Sequence, residues 1–122
     1  MNTLDNWSLD YQGKVRDVYI PKTASSRDEA DRLLIVATDR VSAFDVILRP
    51  EIPGKGAALT RVSQWWMNQF PTIANHLLPD EPPAEVADRA VVIAALSMLP
   101  VECVVRGYLV GSGWSDYQAT GA

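Results

Sequence analysis

The segment Pro50-Glu51-Ile52-Pro53-Gly54-Lys55-Gly56 places two prolines and two glycines within seven residues. Proline lacks a backbone donor and fixes its own φ, and glycine loses the most freedom on ordering. Neither a helix nor a central strand can run through such a stretch, so it reads as a loop dividing the chain in two. Before it lie two apolar runs. Lys14 to Ile20 is β-branched and aromatic and stops at Pro21, and Leu33 to Ala37 is apolar throughout. The polar stretch Lys22 to Asp31 between them is too long for a tight hairpin turn, so two strands with a long connection are expected. Asp39 to Asp45 is too polar for a core strand and too apolar for a linker. Val46 to Leu48 reads as a short strand closed by Arg49-Pro50.

After the loop a helix is expected from about Ala57 to just before Pro71. Leu59, Val62, Trp66 and Phe70, with Trp65 beside them, recur at helical spacing. That stripe predicts packing against the core, with a ligand or partner surface as the alternative. Ala90 to Leu96 and Val101 to Val110 read as an antiparallel pair of strands, and Trp114 to Ala119 as the opening of another helix. The expected class is α+β, a mostly antiparallel sheet with one or two helices.

A chain of 122 residues fits one domain or a piece of a larger one, and 48% hydrophobic residues suffice for a core. The net charge is −4 and the eleven Lys and Arg are scattered. Nucleic acid is therefore not an expected partner, and an anionic ligand must be caught by a few placed cations. The single cysteine forms no internal disulfide, the N-terminus has no secretory pattern, and no apolar run approaches the roughly 18–20 residues of a membrane span. A soluble cytoplasmic protein without membrane contact is expected.

Three stretches carry candidate chemistry. In Gly13-Lys14-Val15-Arg16-Asp17-Val18-Tyr19 a glycine precedes two cations at alternate positions, which share one face if the strand is extended there. A phosphate site with backbone amides beside Gly13 is one reading, and a solvated edge strand is the other. It is not a Walker A loop, because the upstream glycine is absent. In the second stretch Asp39 and Asp45 bracket Arg40 and Ser42, residues suited to a metal, an amine or an anionic substrate, or to turn and cap chemistry. In the third, Arg106 interrupts an apolar run with Glu102 four residues away, and Gly111-Ser112-Gly113 stands at a helix start. A phosphate cradle and a salt bridge beside a glycine turn both fit. His76 has no partner at metal-ligand spacing and reads as a packed or surface residue. Cys103, among valines, reads as a buried inert thiol.

Taken together and in this order, Gly13 to Tyr19, Ala37-Thr38-Asp39-Arg40-Val41-Ser42-Ala43-Phe44-Asp45, Ile52-Pro53-Gly54-Lys55-Gly56 and Leu99 to Trp114 resemble the SAICAR synthetase (phosphoribosylaminoimidazole-succinocarboxamide synthase) family. The resemblance runs from about Tyr11 to the end of the chain. It implies that residues 1–122 are the N-terminal lobe of a longer two-lobed ligase, similar to the small nucleotide-binding lobe of ATP-grasp enzymes. The implied reaction uses ATP and Mg²⁺ to join L-aspartate to 5-amino-1-(5-phosphoribosyl)imidazole-4-carboxylate (CAIR) in purine biosynthesis.

By the same resemblance Gly13, Lys14, Val15, Arg16 and Val18 cover the ATP phosphates, while Glu102 and Cys103 offer backbone contacts beside adenine. Arg106, Gly111, Ser112 and Gly113 hold the CAIR phosphate. Lys14, Asp39 and Asp45 are the expected catalytic residues, with Ser42 and Lys55 on the substrate side. No metal ligand is expected in this chain, since the family's lie in the later half. The pattern departs at Ala94 and Ala95, where relatives commonly carry basic residues. That departure suggests the alternative of a nucleotide-binding or regulatory module without ligase activity. A kinase-like phosphotransferase fits less well, because no catalytic-loop signature is present.

Overall fold

The computed structural model describes residues 4–101 and 103–121. Six strands and two α-helices are present among them: β1 (Trp7–Gln12), β2 (Arg16–Pro21), β3 (Arg32–Ala37), β4 (Val41–Ala43), β5 (Val46–Leu48), α1 (Lys55–Gln69), β6 (Ala90–Ala94) and α2 (Ser112–Thr120). The main sheet has the order β1-β2-β3-β6, antiparallel at each junction, and β4 and β5 form a separate hairpin. The expected α+β class is the observed one.

β3 reads as a continuous apolar run because both of its faces are covered. Leu34 and Val36 pack with Tyr19, Val86, Ala90 and Val92 on one face, and Leu33 packs with Ile20, Ala30 and Ile93 on the other. Leu34 is fully buried. β2 pairs with β3 as expected, with Arg16 opposite Ala37 and Tyr19 opposite Leu34. β1 went unforeseen. Its alternation of Trp7, Leu9 and Tyr11 was available as a signal, but it is short and lies on an edge strand where Leu9 and Tyr11 stay exposed, and the pairing register shifts between them.

Three expectations are corrected. The run Val101 to Val110 forms no strand among its described residues, and Val105 is 99% and Tyr108 84% exposed. A strand needs an edge to pair with, and the free edge of β6 is occupied by residues 76–78. Ala94 donates to the His76 carbonyl at 2.9 Å, Leu78 donates to Val92 at 3.0 Å, and Leu77 bridges to Ile93. For the same reason Cys103 is exposed rather than buried. Glu102 lies outside the described residues.

The third correction concerns α1. Leu59, Val62, Trp65, Trp66 and Phe70 are each about half exposed, and the buried residues of the helix are Gly56 and Thr60. The helix packs on β3 and β6 through its small residues, because these let the backbones approach. A Cβ on Gly56 would stand 2.6 Å from the Ala37 carbonyl oxygen. The aromatic side chains pack on one another instead, Trp65 edge-on to Trp66 at 4.7 Å and Trp66 stacked on Phe70 at 6.2 Å.

Candidate active site

The turn between β1 and β2 is the first part of the site. The Gly13 amide donates to the Arg16 carbonyl at 2.7 Å, and a Cβ at Gly13 would lie 2.8 Å from that same oxygen. Only glycine fits there. The next three carbonyls are then taken by the segment that follows β3. Arg40 donates from Nη2 to the Gly13 carbonyl at 3.0 Å and from Nε to the Lys14 carbonyl at 3.1 Å. The Val15 carbonyl accepts from the Thr38 amide at 3.0 Å and from Thr38 Oγ1 at 2.8 Å. The Lys14 and Val15 amides have no acceptor among the described residues. The turn therefore presents donors, the arrangement that binds anions.

Arg40 is itself fixed by Asp17, with Nη2 at 2.5 Å from Oδ1 and both side chains less than one-fifth exposed. An anionic substrate is one use the sequence leaves open to this guanidinium, and the structure commits it to the turn. Nothing in the sequence signals the pairing, because Asp17 lies in β2 and Arg40 23 positions further on, in the segment between β3 and β4.

Lys14 lies in the turn rather than in a strand, so the alternation expected to aim it with Arg16 does not apply. The two cations open onto different clefts. Lys14 lines one of about 300 Å³ with Gly13, Arg40 and Ile47. Arg16 lines one of about 270 Å³ between the sheet and α1, floored by Ile35, Ala37 and Val91 and edged by Thr60, Ser63 and His76. Val18 packs on the same sheet face as Ile35 and Val91. Ala94 pairs with Arg32, at the far end of β3 from the Arg16–Ala37 pair. The departure at Ala94 and Ala95 is thus remote from the Gly13–Arg16 turn.

The β4–β5 hairpin turns on Phe44 and Asp45, both with positive φ, and brings the Asp45 carboxylate to 2.7 Å from Lys14 Nζ. That hydrogen bond and charge hold the Asp45 carboxyl below its usual pKa. Asp39 takes the capping alternative. Its two oxygens accept from the Gly56 amide at 2.9 Å and the Gly54 amide at 3.0 Å, and these contacts lower its pKa. This cap starts α1 two residues before the expected Ala57 and seats Lys55, whose Nζ donates to the Thr38 carbonyl at 3.1 Å. Ser42 lies half-buried in β4 opposite Ile47.

A second group forms around α2. Arg106 donates to Ser112 Oγ at 3.2 Å, and its guanidinium passes close to Gly111 and Gly113. The helix expected after the glycines is present, so Arg106, Gly111, Ser112 and Gly113 are gathered at its start. Among the described residues no three His, Cys, Asp or Glu side chains are grouped to hold a metal ion, and no helix is long and apolar enough to cross a membrane.

Comparison with known proteins matches this arrangement to one family. A family model described as SAICAR synthetase matches residues 9–121. The phosphoribosylaminoimidazole-succinocarboxamide synthase of Leifsonia xyli subsp. xyli is 48% identical over 97% of this chain and 42% of its own length. That of Halorhodospira halophila is 52% identical over 91% of this chain and 38% of its own. Among solved structures, a SAICAR synthase superposes with a TM-score of 0.78 at 36% identity, covering 95% of this chain and 43% of that one. The SAICAR synthase from Saccharomyces cerevisiae complexed with SAICAR gives 0.77 at 34% identity, with 95% and 42% covered. The chain thus spans about four-tenths of the length of these relatives. With the match running through both the glycine turn and the start of α2, the chain belongs to the SAICAR synthetase family.

Proposed function

We propose that this chain is the nucleotide-binding lobe of an ATP-dependent carbon–nitrogen ligase that joins L-aspartate to CAIR, giving SAICAR in purine biosynthesis. The observation that carries the reading is the Gly13–Val15 turn. Its three carbonyls are occupied, two of its amides are free among the described residues, and Lys14 and Arg16 stand on either side. A polyphosphate meets donors and cations there, and the Ile35, Ala37 and Val91 floor beside Arg16 offers an apolar bed for the base.

Arg106, Ser112, Gly111 and Gly113 at the start of α2 suit the ribose phosphate of CAIR, since an arginine and a helix N-terminus both favour an anion. The backbone at Glu102 and Cys103 would border adenine. Asp45 and Ser42 face the acceptor side from the β4–β5 hairpin. Asp39 serves by holding the Gly54–Gly56 turn and with it Lys55. In the reaction a CAIR carboxylate oxygen attacks the γ-phosphorus of ATP and ADP leaves. The aspartate amine then attacks the acyl carbon, losing a proton as phosphate departs. Lys14, in the turn beside the free amides, would stabilise charge on the transferred phosphoryl group, and Arg16, on the other cleft, would meet the nucleotide from the side of its apolar bed. Mg²⁺, as the family resemblance implies, would be held with the ATP phosphates by carboxylates of the longer protein's later half.

Product formation from CAIR, L-aspartate and ATP by the product of the whole reading frame tests the reading. SAICAR formation supports it, and intact ATP binding without turnover supports a nucleotide-binding module instead. The 122 residues alone are expected to show no ligase turnover.

A further inference from the structure

The Arg40 guanidinium is the only side chain among the described residues that bonds to two consecutive carbonyls of the Gly13–Val15 turn. Its fork reaches the Gly13 carbonyl, the Lys14 carbonyl and the Asp17 carboxylate at once, and its backbone amide donates to Thr38 Oγ1 at 3.3 Å. Thr38 in turn holds the Val15 carbonyl. Without these donors the turn would present three carbonyl oxygens alongside two amides, and a phosphate approaching it would meet lone pairs as well as N–H groups. With them, the acceptors are spent and the conformation is fixed before a ligand arrives.

We propose that Arg40, anchored by Asp17, is a positioning residue that sets the Gly13–Val15 turn in its phosphate-accepting form. This rests on the nucleotide reading above. Lysine cannot replace it, because one ammonium on a flexible stem does not span three acceptors held in fixed directions. Arg40 touches no substrate in this role and acts through the Lys14 and Val15 amides.

The test is titration of the ¹⁵N-labelled product of the whole reading frame with Mg-ATP, read at the Lys14 and Val15 amides, for the wild type and Arg40→Lys. In the wild type both amide protons move downfield as they donate to phosphate. In Arg40→Lys the affinity is expected to fall about tenfold, and the downfield movement to be lost even at saturation, because the turn is no longer preset. Global destabilisation alone would leave the shifts at saturation unchanged. Dispersed β3 and β6 amides confirm folding. If Arg40→Lys does not fold, Asp17→Asn, which loosens the same fork, is read in the same way. Wild-type amides that ignore Mg-ATP overturn the nucleotide reading and this inference with it. Wild-type amides that respond, with a variant matching their shifts and affinity, overturn the inference alone.

Discussion

Asp39 and Gly56 are joined across the start of α1, the Gly56 amide donating to the Asp39 carboxylate at 2.9 Å. The same glycine presses against Ala37, so one position satisfies a helix end and a close backbone approach together. Gly56→Ala is expected to cost about 1–3 kcal/mol through overpacking against the Ala37 carbonyl, read from the urea midpoint. For Asp39→Asn the loss depends on pH. The Gly56 and Gly54 amides favour the ionised carboxylate and lower its folded-state pKa. Its contribution is thus present above the unfolded-state value of about 3.9 and disappears as pH falls through the lower folded value. The gap between wild-type and Asp39→Asn midpoints should be clear at neutral pH and closed in strong acid.

Lys14 is paired with Asp45 at 2.7 Å, both side chains being largely exposed. Such a pair adds little to stability. Asp45→Asn is expected to leave the thermal midpoint unchanged and to raise affinity for Mg-ATP, since it frees Lys14 and removes a negative charge. Lys14→Ala should lower that affinity about tenfold, the value of one charge-assisted hydrogen bond. Calorimetric titration at two salt concentrations checks both, and each effect should shrink with salt.

Arg106 and Ser112 lie together at the start of α2, apart in sequence from the Gly13 turn. In the product of the whole reading frame, Arg106→Ala should raise the KM for CAIR by at least about tenfold and leave that for ATP within about twofold. Equal losses for the two substrates would contradict the assignment.

Core and surface also separate by mutation. Leu34 is fully buried and Trp66 is half exposed on α1. Leu34→Ala is expected to cost about 2–5 kcal/mol, and Trp66→Ala about 1 kcal/mol or less, in chemical denaturation. A Trp66→Ala loss as large as that of Leu34→Ala would restore the core-packing expectation for the aromatic stripe.

Tyr19 is buried, and burial first, then the Asp17 charge, raises its pKa above the ordinary tyrosine value. The folded state prefers the neutral phenol, so its contribution is complete below about pH 10 and is lost as pH rises through the higher folded value. Tyrosinate absorbance should show a late phase that is missing in Tyr19→Phe.

The strands β2, β3 and β6 were legible because covered strands need apolar residues in continuous runs, and the motifs at Gly13 and Gly111 because a close backbone approach at the first and a positive φ at the second demand glycine. The run Val101 to Val110 misled for a physical reason. Strand propensity is a preference for a pleated, covered surface, and residues 76–78 had already taken the edge that the run would have needed. Likewise the periodic apolar stripe of α1 fixed a helix without fixing which side faces the sheet. The close approach at Gly56 and Thr60 settled that.

The sequence by itself determined the α+β class, the position of α1 and the family, since local conformational preference and motif order act over short stretches of chain. Only the tertiary structure decided that Asp17 grips Arg40, that Asp39 caps α1 and that Lys14 and Arg16 open onto separate clefts. Those relations join residues far apart in sequence. They depend on strand register and on which element first occupies a free edge, neither of which short-range pattern can specify.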